Sequence, residues 1–432
     1  MSYQQPPYGS FPNSGYDQPP QPNLGGQPGG FVMPVPQVPG MQQQNIADRP
    51  PYAPDVNSGY LLPTVPTGGE YSLPPAPPMY LAPVAPSPMG GIMPTASHAP
   101  KPPVHYLGVP ITGVSFNGDD LKSTIRKLKK GTKGYGTDEE KLIWAVVHLD
   151  ALQVEALKKK YPEETGKELL EVIEKETSSY FRTGLQGIIH GPVGWDAVLI
   201  QEALSDPKSF AGLANEVFLG RTREEMQLLT QEFQQRSKAV LVGAARLIAS
   251  ETSVEVLYNL AITGDRTPDH LPINETLVQA DVVELHKVKS SHQVTTLTEF
   301  FKIFVERSQP HLYAVMDLYE KAHSQKLKKK LKKEFSGSEH ANLKEALMYV
   351  LDGVKHRDGG VKRDAKLLEK SMAGLGTKDK QLVWRIVRAH WNAPRMGAIK
   401  KAYEAKYYKT LASRVQGETS GDYRKLMLAI IG

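Results

Sequence analysis

The chain has 432 residues, a formal net charge of +6 and no cysteine, so it has room for two or three domains but no disulfide or cysteine zinc site. No apolar run approaches the roughly 18 residues of a membrane-spanning helix. The N-terminus, Met1-Ser2-Tyr3-Gln4-Gln5-Pro6-Pro7, lacks the basic and apolar regions of a signal peptide, so a reducing, cytoplasmic setting is expected.

Residues 1–110 hold 27 of the 34 prolines, with Gly, Gln, Tyr and Ser between them. Such a segment buries too little apolar surface to offset its ordering entropy. Runs such as Leu73-Pro74-Pro75-Ala76-Pro77-Pro78 read as polyproline II. The reading is a disordered head that either binds protein partners or acts as a solubilising spacer. The remainder carries 50 basic and 42 acidic residues, a mild excess that favours an anionic partner or simply aids solubility.

From Asp119 onward the pattern turns helical. Leu121, Ile125 and Leu128 form one apolar stripe ending at Lys130-Gly131. Next comes Lys133-Gly134-Tyr135-Gly136-Thr137-Asp138-Glu139-Glu140, a glycine loop in which Thr137 and Glu140 have capping-box spacing. The helix it opens, to about His148, buries Leu142, Ile143, Val146 and Val147. Val154, Leu157 and Tyr161 predict a third helix ending before Pro162. Leu169, Leu170 and Ile173 predict a fourth, and Tyr180 to Ile189 a fifth.

This five-helix unit recurs. Its marker is a glutamate before a helix-starting hydroxyl: Glu176-Thr177-Ser178, Glu251-Thr252-Ser253, Glu334-Phe335-Ser336 and Glu418-Thr419-Ser420. The glycine loop returns as Gly374-Leu375-Gly376-Thr377, followed by Leu382, Val383, Trp384, Ile386 and Val387. Strand signals are almost absent. The predicted fold is all-α: four units at 117–190, 191–264, 274–352 and 361–432, arrayed as repeats behind the head at 1–110.

Glycine loops expose backbone carbonyls. Those of Thr132, Gly134 and Gly136 can converge on one point. A bidentate carboxylate from another loop, with waters, then completes the six to eight oxygen ligands that suit Ca²⁺. Glu176 lies 40 residues after Gly136, between the fourth and fifth helices, and Glu418 lies 42 after Gly376. The competing reading is that the loops only turn the chain and the glutamates only cap helices.

At these residues the chain resembles an annexin. The resemblance covers about 117–432 and rests on Gly-x-Gly-Thr with an acidic residue about 40 later, on Thr-Ser-Gly-Asp-Tyr at 419–423, and on Glu306-Arg307-Ser308-x-Pro310-His311-Leu312. It implies four helical repeats that bind acidic phospholipid of the phosphatidylserine type through Ca²⁺. It also implies metal ligands at the carbonyls of Thr132, Gly134 and Gly136 with Glu176, and at those of Met372, Gly374 and Gly376 with Glu418. The second and third repeats depart from the pattern, with Ser205-Asp206-Pro207-Lys208-Ser209-Phe210 and Ser291-His292-Gln293-Val294-Thr295-Thr296 where the glycines belong. Glu251 and Glu334 therefore lack carbonyl partners and are not expected to bind metal. Lys378 and Lys380 oppose the helix dipole in the fourth repeat. Tyr135 and Leu375 stand at the loop tips, where a lipid boundary suits a tyrosine.

The expected function is reversible, calcium-dependent binding to acidic membranes. The alternative is a calcium-independent helical scaffold whose head recruits proteins. No His-Glu-x-x-His or phosphate-binding Gly-x-x-x-x-Gly-Lys-Ser/Thr loop occurs, so no enzyme is expected. Nor is there a basic, aromatic-interleaved module for nucleic acid. The run from Lys326 to Lys333 reads as a solvated helix face with Leu327 and Leu331 turned inward.

Overall fold

A computed structural model describes residues 103–112, 120–133 and 136–432. The expected head to residue 102, Gly134 and the loop tip at Tyr135 lie outside the described residues. Among the described residues there are nineteen α-helices, two short 3-10 turns and one two-stranded hairpin. Helix α5 (Ser179–Ser205) is broken at Gly191, where φ is +75°. Counted as two, it completes four groups of five helices.

The first group is α1 (Asp120–Gly131), α2 (Glu139–Val147), α3 (Ala151–Thr165), α4 (Leu169–Glu176) and the first half of α5. The second is the rest of α5 with α6 (Pro207–Phe218), α7 (Arg223–Ser237), α8 (Leu241–Ile248) and α9 (Thr252–Thr263). The third is α10 (Glu275–Lys287), α11 (Thr298–Glu306), α12 (Gln309–His323), α13 (Leu327–Glu334) and α14 (Ala341–Val354). The fourth is α15 (Val361–Met372), α16 (Asp379–His390), α17 (Ala393–Tyr407), α18 (Leu411–Glu418) and α19 (Gly421–Ile431).

The apolar stripes face inward as their spacing requires. Leu121, Ile125, Leu128, Leu142, Ile143 and Val146 are all buried, each stabilising the fold by about 1.5–3 kcal/mol relative to exposure. In α13 only Leu327 and Leu331 are buried, as expected of the lysine-rich run. Helix α3 runs three residues past Pro162. A left-handed Gly166 cap closes it by donating to the Pro162 carbonyl at 2.8 Å. A proline near the C-terminal end forfeits one hydrogen bond without ending the helix.

Equal sequence positions do not share equal burial. Trp384 of α16 is 1% exposed, while its counterpart Trp144 of α2 is 52% exposed, with the Lys127 ammonium over its ring. Both helices pack against α5 and α19, so the difference lies in how each ring is placed and not in which helices surround it.

Two further features shape the four-group array. First, the groups close on themselves. Helix α19 packs on α2 and α5, so the fourth group contacts the first, and α14 packs on α6 and α15. Lys425 pairs with Glu140 across this junction at 3.2 Å. Second, the segment expected to be the end of the head is folded in: β1 (His105–Tyr106) and β2 (Val109–Pro110) pair antiparallel. Tyr106 is completely buried and donates its hydroxyl to Asp196 Oδ2 at 2.8 Å. Asp196 also holds the Arg221 guanidinium, with Arg388 at 3.4 Å. The Leu107 amide donates to Glu225 at 2.7 Å, and Asn392 donates to the Leu107 carbonyl at 3.3 Å. The folded part therefore starts by 103 rather than after 110, because an aromatic ring and a buried ion-pair cluster hold these residues down.

Candidate metal centre

Each group contains one eight-residue helix that begins with leucine: Leu169, Leu241, Leu327 and Leu411. Both buried apolar positions of α4, Leu169 and Ile173, recur as Leu411 and Val415 in α18. This anchoring fixes the eighth residue at the helix end: Glu176, Ile248, Glu334 and Glu418. In the second group the eighth residue is apolar. Glu251 is instead the N-cap residue of α9, and its carboxylate accepts from the amides of Asn342 and Leu343 at 2.7 and 3.2 Å. The glutamate marker read from sequence is thus three residues out of register there. Glu251 satisfies two otherwise orphan donors at the start of α14.

In the first group the loop meets the end of α4. The Thr137 hydroxyl donates to the Glu176 carbonyl at 2.7 Å. It does not cap α2, as its spacing predicted. Asp138 does so, accepting from the Lys141 amide at 3.0 Å. The exchange ties the loop to the end of α4 and leaves the helix one residue shorter. Gly136 has φ of +92°, and a Cβ there would meet nothing within 4 Å. The positive φ needs glycine, and that side of the loop is open. Glu176 is exposed, and its carboxylate has no ion pair or hydrogen bond among the described residues.

The fourth group repeats this frame with different contents. Gly374 and Gly376 have φ of +109° and +79°, and Leu375 at the tip is fully exposed. The Thr377 hydroxyl donates to Glu418 Oε2 at 2.6 Å. Arg414, one turn before Glu418, pairs with Glu418 Oε1 and donates to the Met372 carbonyl at 2.5 Å. Hydrogen bonds from Thr377 and Arg414 hold the Glu418 carboxyl below its ordinary range. Two expected ligands of this loop, Met372 and Glu418, are thus already held by a side-chain cation.

The ends of α4 and α18 border one cleft of about 720 Å³, lined by Glu139, Glu176, Asp379, Glu418 and Asp422 among others. Burial raises the Asp379 carboxyl above its usual range. Among the described residues no three His, Cys, Asp or Glu side chains gather as a metal cluster. A site here would depend on backbone carbonyls and one carboxylate, the donor set of a hard cation.

The annexin family model matches residues 125–188, 272–347 and 363–430. Annexin C1 of Cryptococcus neoformans var. grubii is 35% identical over 76% of this chain and 70% of its own length. The chain belongs to the annexin family. The family match skips the second repeat of this annexin, where α8 ends in Ile248. Annexin A7 of Dictyostelium discoideum is 30% identical over 72% of this chain and 65% of its own. Among solved structures, a point mutant of annexin A8 with an intact N-terminus superposes with a TM-score of 0.66 at 24% identity, covering 74% of this annexin and 96% of that chain. A calcium-bound annexin (Sm)1 gives 0.60 at 22% identity, covering 74% and 92%. No helix among the described residues is long and apolar enough to cross a membrane.

Proposed function

We propose that this annexin binds acidic phospholipid membranes reversibly and in a calcium-dependent manner, principally through its first repeat. The observation that carries the proposal is the exposed Glu176 carboxylate, unpartnered among the described residues and tied to an open glycine loop through Thr137. The carbonyls of Thr132, Gly134 and Gly136 with Glu176 would hold the ion. A bound Ca²⁺ supplies the positive charge that joins these groups to a lipid phosphate. The protein's part is positional. Thr137 fixes the loop against α4, Gly136 keeps its carbonyl side clear of a side chain, and Asp138 anchors the start of α2. Glu176 is the principal negative charge of the set, so metal and lipid should strengthen each other's binding reciprocally.

The residues beside this site fit an anionic surface. Lys129 and Lys130 lie in the last turn of α1, immediately before the loop. The anticipated setting is cytoplasmic with reversible membrane attachment, and any protein partners would be recruited through the head. Sedimentation with phosphatidylserine or phosphatidylcholine vesicles, in Ca²⁺ or chelator, tests the reading. Binding should require both Ca²⁺ and the acidic lipid, and Glu176→Gln should raise the half-binding calcium concentration at least tenfold. Binding that persists in chelator would instead favour a calcium-independent scaffold.

A further inference from the structure

The four eight-residue helices differ most informatively at their fourth position, one turn before the helix end: Val172, Ala244, Lys330 and Arg414. In α18, Arg414 reaches back 42 residues to the Met372 carbonyl and forward four to Glu418. In α13, Lys330 reaches back 42 residues to the Val288 carbonyl at 3.0 Å and forward four to Glu334 at 2.9 Å. Val288 directly follows α10, and Met372 ends α15. Two repeats thus place a side-chain cation between the same helix-end carbonyl and the same carboxylate. Glu334 is spent further on the Ser290 amide at 2.8 Å. Only the first repeat combines the carboxylate with an apolar residue, Val172, at the fourth position.

A tethered guanidinium and a metal ion compete for one donor set. Both need the Glu418 charge, and the Met372 carbonyl cannot serve a cation while Arg414 holds it. Arg414 is largely buried and pairs also with Glu369 at 3.4 Å, so it is held from two sides. The guanidinium spans both groups, with Nη1 on the Glu418 carboxylate and Nη2 on the Met372 carbonyl; charge-assisted hydrogen bonds of this kind are strong, and a covalently attached cation needs no recruitment from solution.

Given the calcium reading above, we propose that Arg414 is a built-in cation that locks the fourth-repeat site. The first repeat is ready to bind metal, whereas the fourth binds it only by exchange, with Arg414 leaving Met372 and Glu418. Lys330 performs the same substitution in the third repeat, where no glycine loop exists to receive a metal. The first and fourth repeats then differ in cation demand through one side chain rather than through their ligands.

The test is calorimetric Ca²⁺ titration of the full chain without lipid, with the first repeat silenced by Glu176→Gln. Adding Arg414→Met should tighten the remaining binding at least tenfold, and adding Glu418→Gln to that pair should abolish the gain. Arg414→Lys, which keeps a cation without the fork, should give a smaller gain. Melting in chelator checks that each variant is folded. A second measurement needs no variant: the Arg414 side-chain Nε–H resonance should shift and lose exchange protection as Ca²⁺ saturates the protein. No tightening in the folded Arg414→Met protein, or an unmoved resonance at saturation, would overturn the lock while leaving first-repeat binding intact. A wild-type protein that binds no Ca²⁺ at all would overturn the calcium reading itself, and the lock with it.

Discussion

Tyr106 gives a direct measure of where the folded protein begins. Its ring is completely buried and its hydroxyl bonds to a buried carboxylate. Burial raises the phenol well above its ordinary range, so it remains a donor at any ordinary pH. Truncating a buried aromatic to alanine costs about 3–5 kcal/mol. Losing a hydrogen bond to a charged group accounts for about 1.5–3 kcal/mol when removed alone. Asp196 keeps Arg221 and Arg388 in either variant, so the charge is not stranded. We expect Tyr106→Ala to destabilise by about 4 kcal/mol and Tyr106→Phe by about 2 kcal/mol. The unfolding entropy is about 2.1 cal/mol/K per residue over roughly 330 residues, so these become Tm losses of about 6 °C and 3 °C. Calorimetry or far-UV circular dichroism reads both. Deleting residues 1–102 should leave Tm unchanged, and deleting 1–112 should lower it at least as far as Tyr106→Ala. An unchanged Tm after deletion of 1–112 would show that the hairpin adds nothing to the fold.

Three further outcomes are expected. Glu251→Ala should lower stability by about 1–2 kcal/mol through loss of the α14 cap, with no change in the calcium needed for vesicle binding; a raised calcium requirement would restore a metal site to the second repeat. Glu334→Gln should leave that requirement unchanged too, because Lys330 and Ser290 already occupy its carboxylate. Acid should weaken the fold well above the carboxylate range. Burial, with Arg236 and Lys158 nearby, pushes His190 down to about 3, and burial pushes His390 down to about 4. Below about pH 6.5 the unfolded chain protonates both while the native protein does not, so stability falls as pH falls. At pH 5 each contributes a loss of about 2 kcal/mol. Tm measured from pH 7 to 5 should decline, and less steeply in His190→Asn; a flat profile would refute the assignment.

Local pattern carried most of the fold. The stripes at Leu121–Leu128 and Leu142–Val146 are properties of one helix each. The positive φ values of Gly136, Gly374 and Gly376 were likewise implicit in the glycine loops. Contacts made across the chain were not legible. Thr137 has capping-box spacing, yet its hydroxyl donates to the Glu176 carbonyl 39 residues away and Asp138 takes the cap instead. Glu251 shares the dipeptide signature of Glu176 but sits three residues later relative to its helix, which only the leucine that opens α8 reveals. Arg414 carried no signal of its own, since one arginine on a surface helix is ordinary until its fork is seen on Met372 and Glu418. Tyr106 lay in a proline-rich stretch whose composition concealed one buried ring.

The contact of α19 with α2 and α5 has a consequence for how such a molecule is built. An open stack of repeats needs specialised end units with polar outer faces, and its stability accumulates unit by unit. Here the outer face of the last repeat is the wall of the first. Neither end needs a cap, and neither offers a place to add a fifth member. Removing one repeat would bare apolar side chains on both sides of the gap, Leu426 and Met427 among them. Membership of the circuit is therefore fixed at four, and the seam between first and last is where strain or proteolysis would be felt by every repeat at once.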